Sequence, residues 1–255
     1  MQLRKYIMIA AALAAGALLL PADALAQSIN IDLGGAGEAA AAGGTSVAGR
    51  VVQMVALLTV LSLAPSILMM MTSFTRIVVV LSFLRTALGT QQTPPNTVLI
   101  SLAMFLTLFI MMPTFQASYD TAIRPMMNEE IDEMEGFQKA VLPFKEFMLK
   151  HTREKDLTLF MNLSETKAVE TPMATPLQVV IPAFMISELR RAFEIGFLIF
   201  LPFLIIDMVT ASILMSMGMM MLSPVLISLP FKIIFFVLVD GWNLISGSLV
   251  QSYGG

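Results

Sequence analysis

The chain has no cysteine, one histidine and one tryptophan, and only 13% of its 255 residues are charged. Without cysteine there is no disulfide, no thiolate nucleophile and no thiolate-held metal. The single histidine, His151, stands alone in the charged run LKHTREKD, where the pattern predicts a surface residue rather than a metal ligand. No HExxH, GxSxG or Walker-type Gly-Lys-Ser/Thr segment is present. Nothing therefore points to an enzyme, a cofactor or a nucleotide site, and any transport must draw its energy from a partner or an ion gradient. The net charge of −3 comes without a basic patch, which excludes nucleic acid as a partner class. A soluble domain carries about 25% charged residues, whereas this chain is 57% hydrophobic. That leaves enough apolar sequence for several membrane helices of roughly 20 residues each.

Residues 1–26 read as a cleavable signal peptide. Arg4 and Lys5 form a basic start, Tyr6 to Leu20 an apolar run, and Ala24-Leu25-Ala26 a small-residue site with cleavage expected after Ala26. Residues 27–49, rich in Gly and Ala, read as a flexible leader. Four apolar regions follow: Val51 to Met71, Thr97 to Met112, Gly196 to Leu222 and Pro224 to Val250. Pro65, Pro182, Pro202, Pro224 and Pro230 lie in or beside them, which predicts broken helices. Inserted from outside, the chain would run out-in-out-in-out. Arg76 and Arg85, with no acid nearby in sequence, then fall on the cytoplasmic side. The segment 51–113 forms an N-terminal helical hairpin region and 177–250 a C-terminal helical region. Between them, 114–176 holds 11 of the 18 acids and seven bases. It reads as an extracytoplasmic helical insertion, with helices over Met126 to Glu135 and over Gln138 to Lys155, the second interrupted by Pro143. About 60 residues cannot bury a large core alone, so the insertion must pack on its surroundings.

Asp207, Lys232 and Asp240 are charges inside apolar sequence, where each needs a partner or a pathway. Lys232 and Asp240, eight residues apart, would share one helix face about 12 Å apart, too far to pair. In SELRRAFE, Glu188 can meet Arg191 and Arg190 can meet Glu194. Alternatively, Glu188 or Glu194 reaches Lys232 of a neighbouring subunit. Five methionines, Met215, Met217, Met219, Met220 and Met221, crowd into seven residues beside Gly218. Flexible, polarizable side chains from several subunits could close a pore and still yield to a passing chain.

Three long segments carry a family resemblance: MTSFTRIVVVLSFLRTALGTQQTPPNTVLISLAMFLTLFIMMP at 71–113, IPAFMISELRRAFEIGFLIFLPFLIIDMVTASILMSMGMMMLSP at 181–224, and LPFKIIFFVLVDGWNLISGSL at 229–249. In these the chain resembles the FliP family of type III secretion export gates. The resemblance implies an all-α integral membrane protein with broken helices that assembles into a helical oligomeric pore. It implies a homo-oligomer, a pentamer in the family, joined by FliQ and FliR and by other flagellar export membrane components. The gate would stand in the bacterial inner membrane at the flagellar basal body and pass unfolded rod, hook and filament subunits. Met219, Met220 and Met221 would form its gasket. Glu188 and Lys232 would make intersubunit charge contacts, with Arg76, Arg85, Asp207 and Asp240 as further buried or intersubunit charges. The signal and leader favour a flagellar member over an injectisome one. The competing reading from the residues is a secondary transporter or ion channel using Asp207, Lys232 and Asp240 as a relay, although the sequence has no inverted repeat.

Overall fold

A computed structural model describes residues 47–90, 92–164, 171–219 and 222–254, so the expected signal, the cleavage site after Ala26 and nearly all of the leader lie outside the described residues. The chain divides after Val60. The described part of the first unit is the start of helix α1 (Val47–Met70), whose remaining turns belong to the second unit.

Among its described residues the second unit has helices and turns and no strand. It contains α2 (Phe74–Leu88), α3 (Asn96–Ser118), α4 (Arg124–Met127), α5 (Glu133–His151), α6 (Glu154–Leu163), α7 (Leu177–Ser216), α8 (Pro224–Leu238) and α9 (Gly241–Gln251). Asn96–Met127 is one rod, in which a π turn at Tyr119–Ile123 joins α3 to α4. Arg124 N–H closes that turn onto Tyr119 O, five residues back. Pro125, next in line, has no N–H to donate, and the widened turn accommodates its ring without ending the rod.

The prolines break less than the sequence predicts. Pro65, Pro113, Pro143, Pro182, Pro202 and Pro230 all lie inside helices. A proline forfeits one intrahelical hydrogen bond, but the turns on either side keep theirs, and burial of the helix face holds the rod together. The third apolar region accordingly belongs to a 40-residue helix that starts at Leu177 and carries SELRRAFE in its middle. In the insertion, α5 runs through Pro143 unbroken, and the chain turns at 128–132 where helix was expected. One bend falls away from any proline. Asp240 takes a left-handed φ of 49° between α8 and α9, and the two helices meet at 63°.

Packing partners define the topology. Arg76 meets Glu188 and Phe83 meets Phe193, so α2 and α7 run parallel. Asp207 meets Lys232, and Phe203 meets Phe235 and Phe236, so α7 and α8 run antiparallel as a hairpin. Ile77, Val80, Leu81, Leu99, Ala103, Ala192 and Leu249 form one core, and Leu84, Ala87, Leu88, Phe203 and Phe236 extend it toward the hairpin. The insertion has no core of its own. Met148 is buried with Met71, Val180 and Phe184 against the first turns of α7.

Helices α2 and α7 approach closely at Gly196, where an added Cβ would lie 2.6 Å from Phe83 Cδ2 and 3.2 Å from Phe83 Cβ. The near-backbone atom cannot swing aside. Gly196→Val should therefore cost about 1–3 kcal/mol by overpacking, read as a lower thermal midpoint in detergent. An unchanged midpoint would mean that the two helices separate freely there.

Among the described residues, two helices, Asn96–Met127 and Leu177–Ser216, are long and apolar enough to cross a membrane, and the bent pair α8–α9 makes a third if it counts as one span. Only 22% and 17% of the apolar windows of the first two are buried by the rest of the chain. Most of their apolar surface needs a covering that the described residues do not supply.

Candidate functional site

Two polar nodes hold this apolar structure together, and both use residues singled out from the sequence. In the first, Arg76 and Glu188 are completely buried. Arg76 Nε donates to Glu188 Oε2 at 2.9 Å, and Arg76 Nη2 bonds Glu188 Oε1. The fork of donors matches the carboxylate in the bidentate geometry that suits arginine. Arg76 Nη1 donates to Ser252 Oγ at 2.9 Å, the guanidinium lies 3.8 Å from the centre of the Tyr253 ring, and Tyr253 donates its hydroxyl to Glu188 Oε2. Burial and the Glu188 charge raise the Tyr253 pKa far above the usual phenol value, so the hydroxyl keeps its proton and remains a donor.

A seam beside this node ties the insertion to α7. Ser187 Oγ accepts from the Arg153 N–H at 3.1 Å and donates to Asp156 Oδ2 at 2.5 Å, while Arg153 grips Asp156 through Nε and Nη2. His151 lies between Phe147 and Tyr253, with ring centres 4.7 and 5.0 Å away. It is buried, not the surface residue its charged neighbours predict, because α5 turns its last residue inward against α7. Burial first, then the positive charges of Arg76, Lys150 and Arg191, lower its pKa from 6.5 to about 4. The native state thus refuses a proton that the unfolded chain accepts. This contribution to stability is intact above about pH 6.5 and is lost as pH falls toward 4. His151→Phe keeps an aromatic ring and should flatten the thermal midpoint between pH 7 and 4.5. A variant with the native pH slope would exonerate His151.

In the second node, Lys232 Nζ meets Asp207 Oδ2 at 2.6 Å and donates to Ala87 O at 3.2 Å, while Ser228 Oγ donates to Asp207 Oδ1 at 2.5 Å. The ammonium thus caps the C-terminal end of α2, where the helix dipole favours positive charge. Gly89, at φ 75°, ends α2 there.

Several spacing arguments give way to tertiary partners. Glu188 does not meet Arg191; it lies on the face of α7 shared with buried Ala192 and Gly196, which turns it to α2. Glu194, on the opposite exposed face, does pair with Arg190 at 2.8 Å. Both Glu188 and Lys232, expected to contact neighbouring subunits, are engaged within one chain. Arg76, with no acid near it in sequence, finds its acid partner 112 residues away. Arg85 hydrogen-bonds the amide oxygen of Asn96, a neutral partner across the α2–α3 connection. Lys232 and Asp240 do not share a helix face, since α8 ends at Leu238. Asp240 is exposed and forms no ion pair among the described residues. Ser187, Ser228, Ser252 and Tyr253 escape sequence reading altogether. The one signal for Tyr253 is its place four residues after Leu249, on the same buried face.

Met215, Met217 and Met219 are exposed where the α7–α8 hairpin turns, and Gly218 takes φ 77°. Met220 and Met221 lie outside the described residues.

The FliP family profile matches residues 57–249, from α1 to the last turn of α9. The chain belongs to the FliP family. It is 57% identical to the flagellar biosynthetic protein FliP of Caulobacter vibrioides over 98% of its own length and 92% of that protein's. It is 61% identical to the Bacillus subtilis protein of the same name, over 79% of this chain and 91% of that one. The Aquifex aeolicus FliP is 54% identical over 79% and 85%. The matched family region contains both nodes except Ser252 and Tyr253, and all of the hairpin turn.

Proposed function

We propose that the chain is the core pore-forming subunit of the flagellar type III export gate, passing unfolded rod, hook and filament subunits across the bacterial inner membrane at the basal body. Membership of the FliP family over residues 57–249 carries the reading. The uncovered apolar faces of α3 and α7 support it, since lipid and neighbouring subunits, a pentamer with FliQ and FliR, would cover them. In this assembly Met219, Met220 and Met221 form a gasket around a common axis. Residues 114–176 stand on the extracytoplasmic side, after removal of the signal at Ala26. The three-member relay of the transporter reading is weakened by its own geometry: Asp207 and Lys232 neutralise each other at 2.6 Å, and Asp240 stands exposed beyond the end of α8.

Deletion of the chain in its host should abolish filament assembly and secretion of hook subunits into the medium, and the intact chain should restore both. Normal filaments in the deletion strain would end the reading. Replacing Met219, Met220 and Met221 together by Ala should leave assembly intact but raise membrane ion permeability. An assembled triple variant that stays tight to ions would remove the methionines from the gasket role.

A further inference from the structure

Four distant parts of the chain converge on one ring. Tyr253 takes the Arg76 guanidinium of α2 over its face at 3.8 Å and gives its hydroxyl to Glu188 of α7. Its ring stacks on Phe147 of α5 at 5.8 Å and 18°, and it meets the edge of His151 at 5.0 Å. The residue itself hangs from the end of α9, where Tyr253 N–H returns to Val250 O and Ser252 N–H to Ser248 O. Beside it, Ser252 Oγ takes the third nitrogen of Arg76. The ion pair alone is thus incomplete. Without 252–253, Arg76 Nη1 has no partner among the described residues and Glu188 Oε2 loses its hydroxyl donor, both in a site sealed from water. Buried charges are tolerated when their remaining donors and acceptors are matched, and are costly otherwise.

We propose that Ser252–Tyr253 is an internal clasp. Its docking completes the buried Arg76–Glu188 pair and, through Phe147 and His151, seats α5 of the insertion on the apolar helices. The clasp is a property of the single chain and does not depend on whether the chain lines a pore. Its consequence is local: releasing it should loosen the end of α5 first, because Phe147 and His151, which meet the Tyr253 ring, lie in its last turns, while Val141, Phe144, Met148 and Leu149 hold the helix to the core. The Arg76–Glu188 pair would remain joined but under-satisfied.

Limited trypsin digestion of the full chain in detergent tests this, reading cleavage at Lys139, Lys145, Lys150, Arg153 and Lys155 against cleavage at Arg190 and Arg191 of α7. Cleavage within a helix requires that helix to open, so its rate reports local opening. Tyr253→Ala and deletion of 252–255 should each raise cleavage in the insertion by roughly tenfold or more, with a much smaller rise at Arg190 and Arg191. Rates within about twofold of the native protein would overturn the clasp. Equal acceleration at both places would also overturn it, since that means general unfolding. Tyr253→Phe keeps the stacking and removes only the hydroxyl donor, and should give roughly threefold. In an Arg76→Leu/Glu188→Leu background the hydroxyl has no carboxylate to serve, so Tyr253→Phe should there change the rate by less than about 1.5-fold. The same acceleration in both backgrounds would refute the charge-completing role.

Discussion

Glu188→Ala should cost roughly 3–5 kcal/mol, the penalty for leaving one member of a buried ion pair alone. That is a large part of the roughly 5–15 kcal/mol that holds an ordinary domain together. Arg76 would keep its charge at a position with no exposure, with only Ser252 and the face of Tyr253 to stabilise it. The expected result is a variant that fails to accumulate as folded protein in the membrane. Arg76→Leu should fail for the mirror-image reason, leaving a buried carboxylate with one phenol donor. Glu188→Gln should fall between, since the amide can still accept hydrogen bonds but cannot neutralise the guanidinium. The informative comparison is Arg76→Leu/Glu188→Leu. Two apolar side chains of similar volume remove both desolvation penalties at once, and replacement of a buried pair in this way is often neutral. The double variant should therefore accumulate better than either single. The yield of folded protein after mild detergent extraction, with its thermal midpoint, decides the matter. If Glu188→Ala accumulates and melts like the native chain, the pair is not the anchor its geometry describes.

The residues themselves explain why some of this was legible in sequence and some was not. Helix content and apolar length follow from composition, so the all-α class and the long runs around 97–112 and 196–216 read directly. The break between 216 and 224 also reads, because Gly218 and Ser223-Pro224 mark it chemically. The prolines misled because proline disfavours a helix locally while burial along a 40-residue rod outweighs the loss of single hydrogen bonds. The bend at Asp240 carries no such mark; a left-handed aspartate is a tertiary outcome. Charge pairing fared worst, and for a clear reason. Spacing along a helix finds partners three or four residues apart, which located Arg190–Glu194 on the exposed face. It cannot find Arg76–Glu188 or Asp207–Lys232, which are set by which helix lies beside which. For Asp207 and Lys232, charge inside apolar sequence told correctly that a partner must exist, and only the fold tells who it is; Asp240, read by the same rule, stands exposed with no ion pair among the described residues.

Lys232→Met should separate a structural lock from a working relay. The lysine is buried and joins three elements: α8 that carries it, Asp207 on α7, and the last turn of α2 through Ala87 O. Its loss strands Asp207 with Ser228 alone and uncaps α2, for an expected cost of roughly 3 kcal/mol. Asp207→Asn leaves the buried Lys232 without its counter-charge and should cost a comparable amount, roughly 2–3 kcal/mol, eased because the amide oxygen can still accept from Lys232 or Ser228. If the pair is a lock, both variants should lower the thermal midpoint. Lys232→Met/Asp207→Leu should then recover most of the loss, since neither charge remains to be compensated. A relay behaves in the opposite way. Neutralising Asp207 would leave stability near the native value and abolish transport, and the apolar double variant would be dead however well it folded. The hairpin places this lock two to three turns from Gly218, so the lock ties the α7 and α8 arms on either side of that turn. Stable but secretion-defective Asp207→Asn would count for the relay. An unstable one whose secretion returns with the apolar pair would establish the lock.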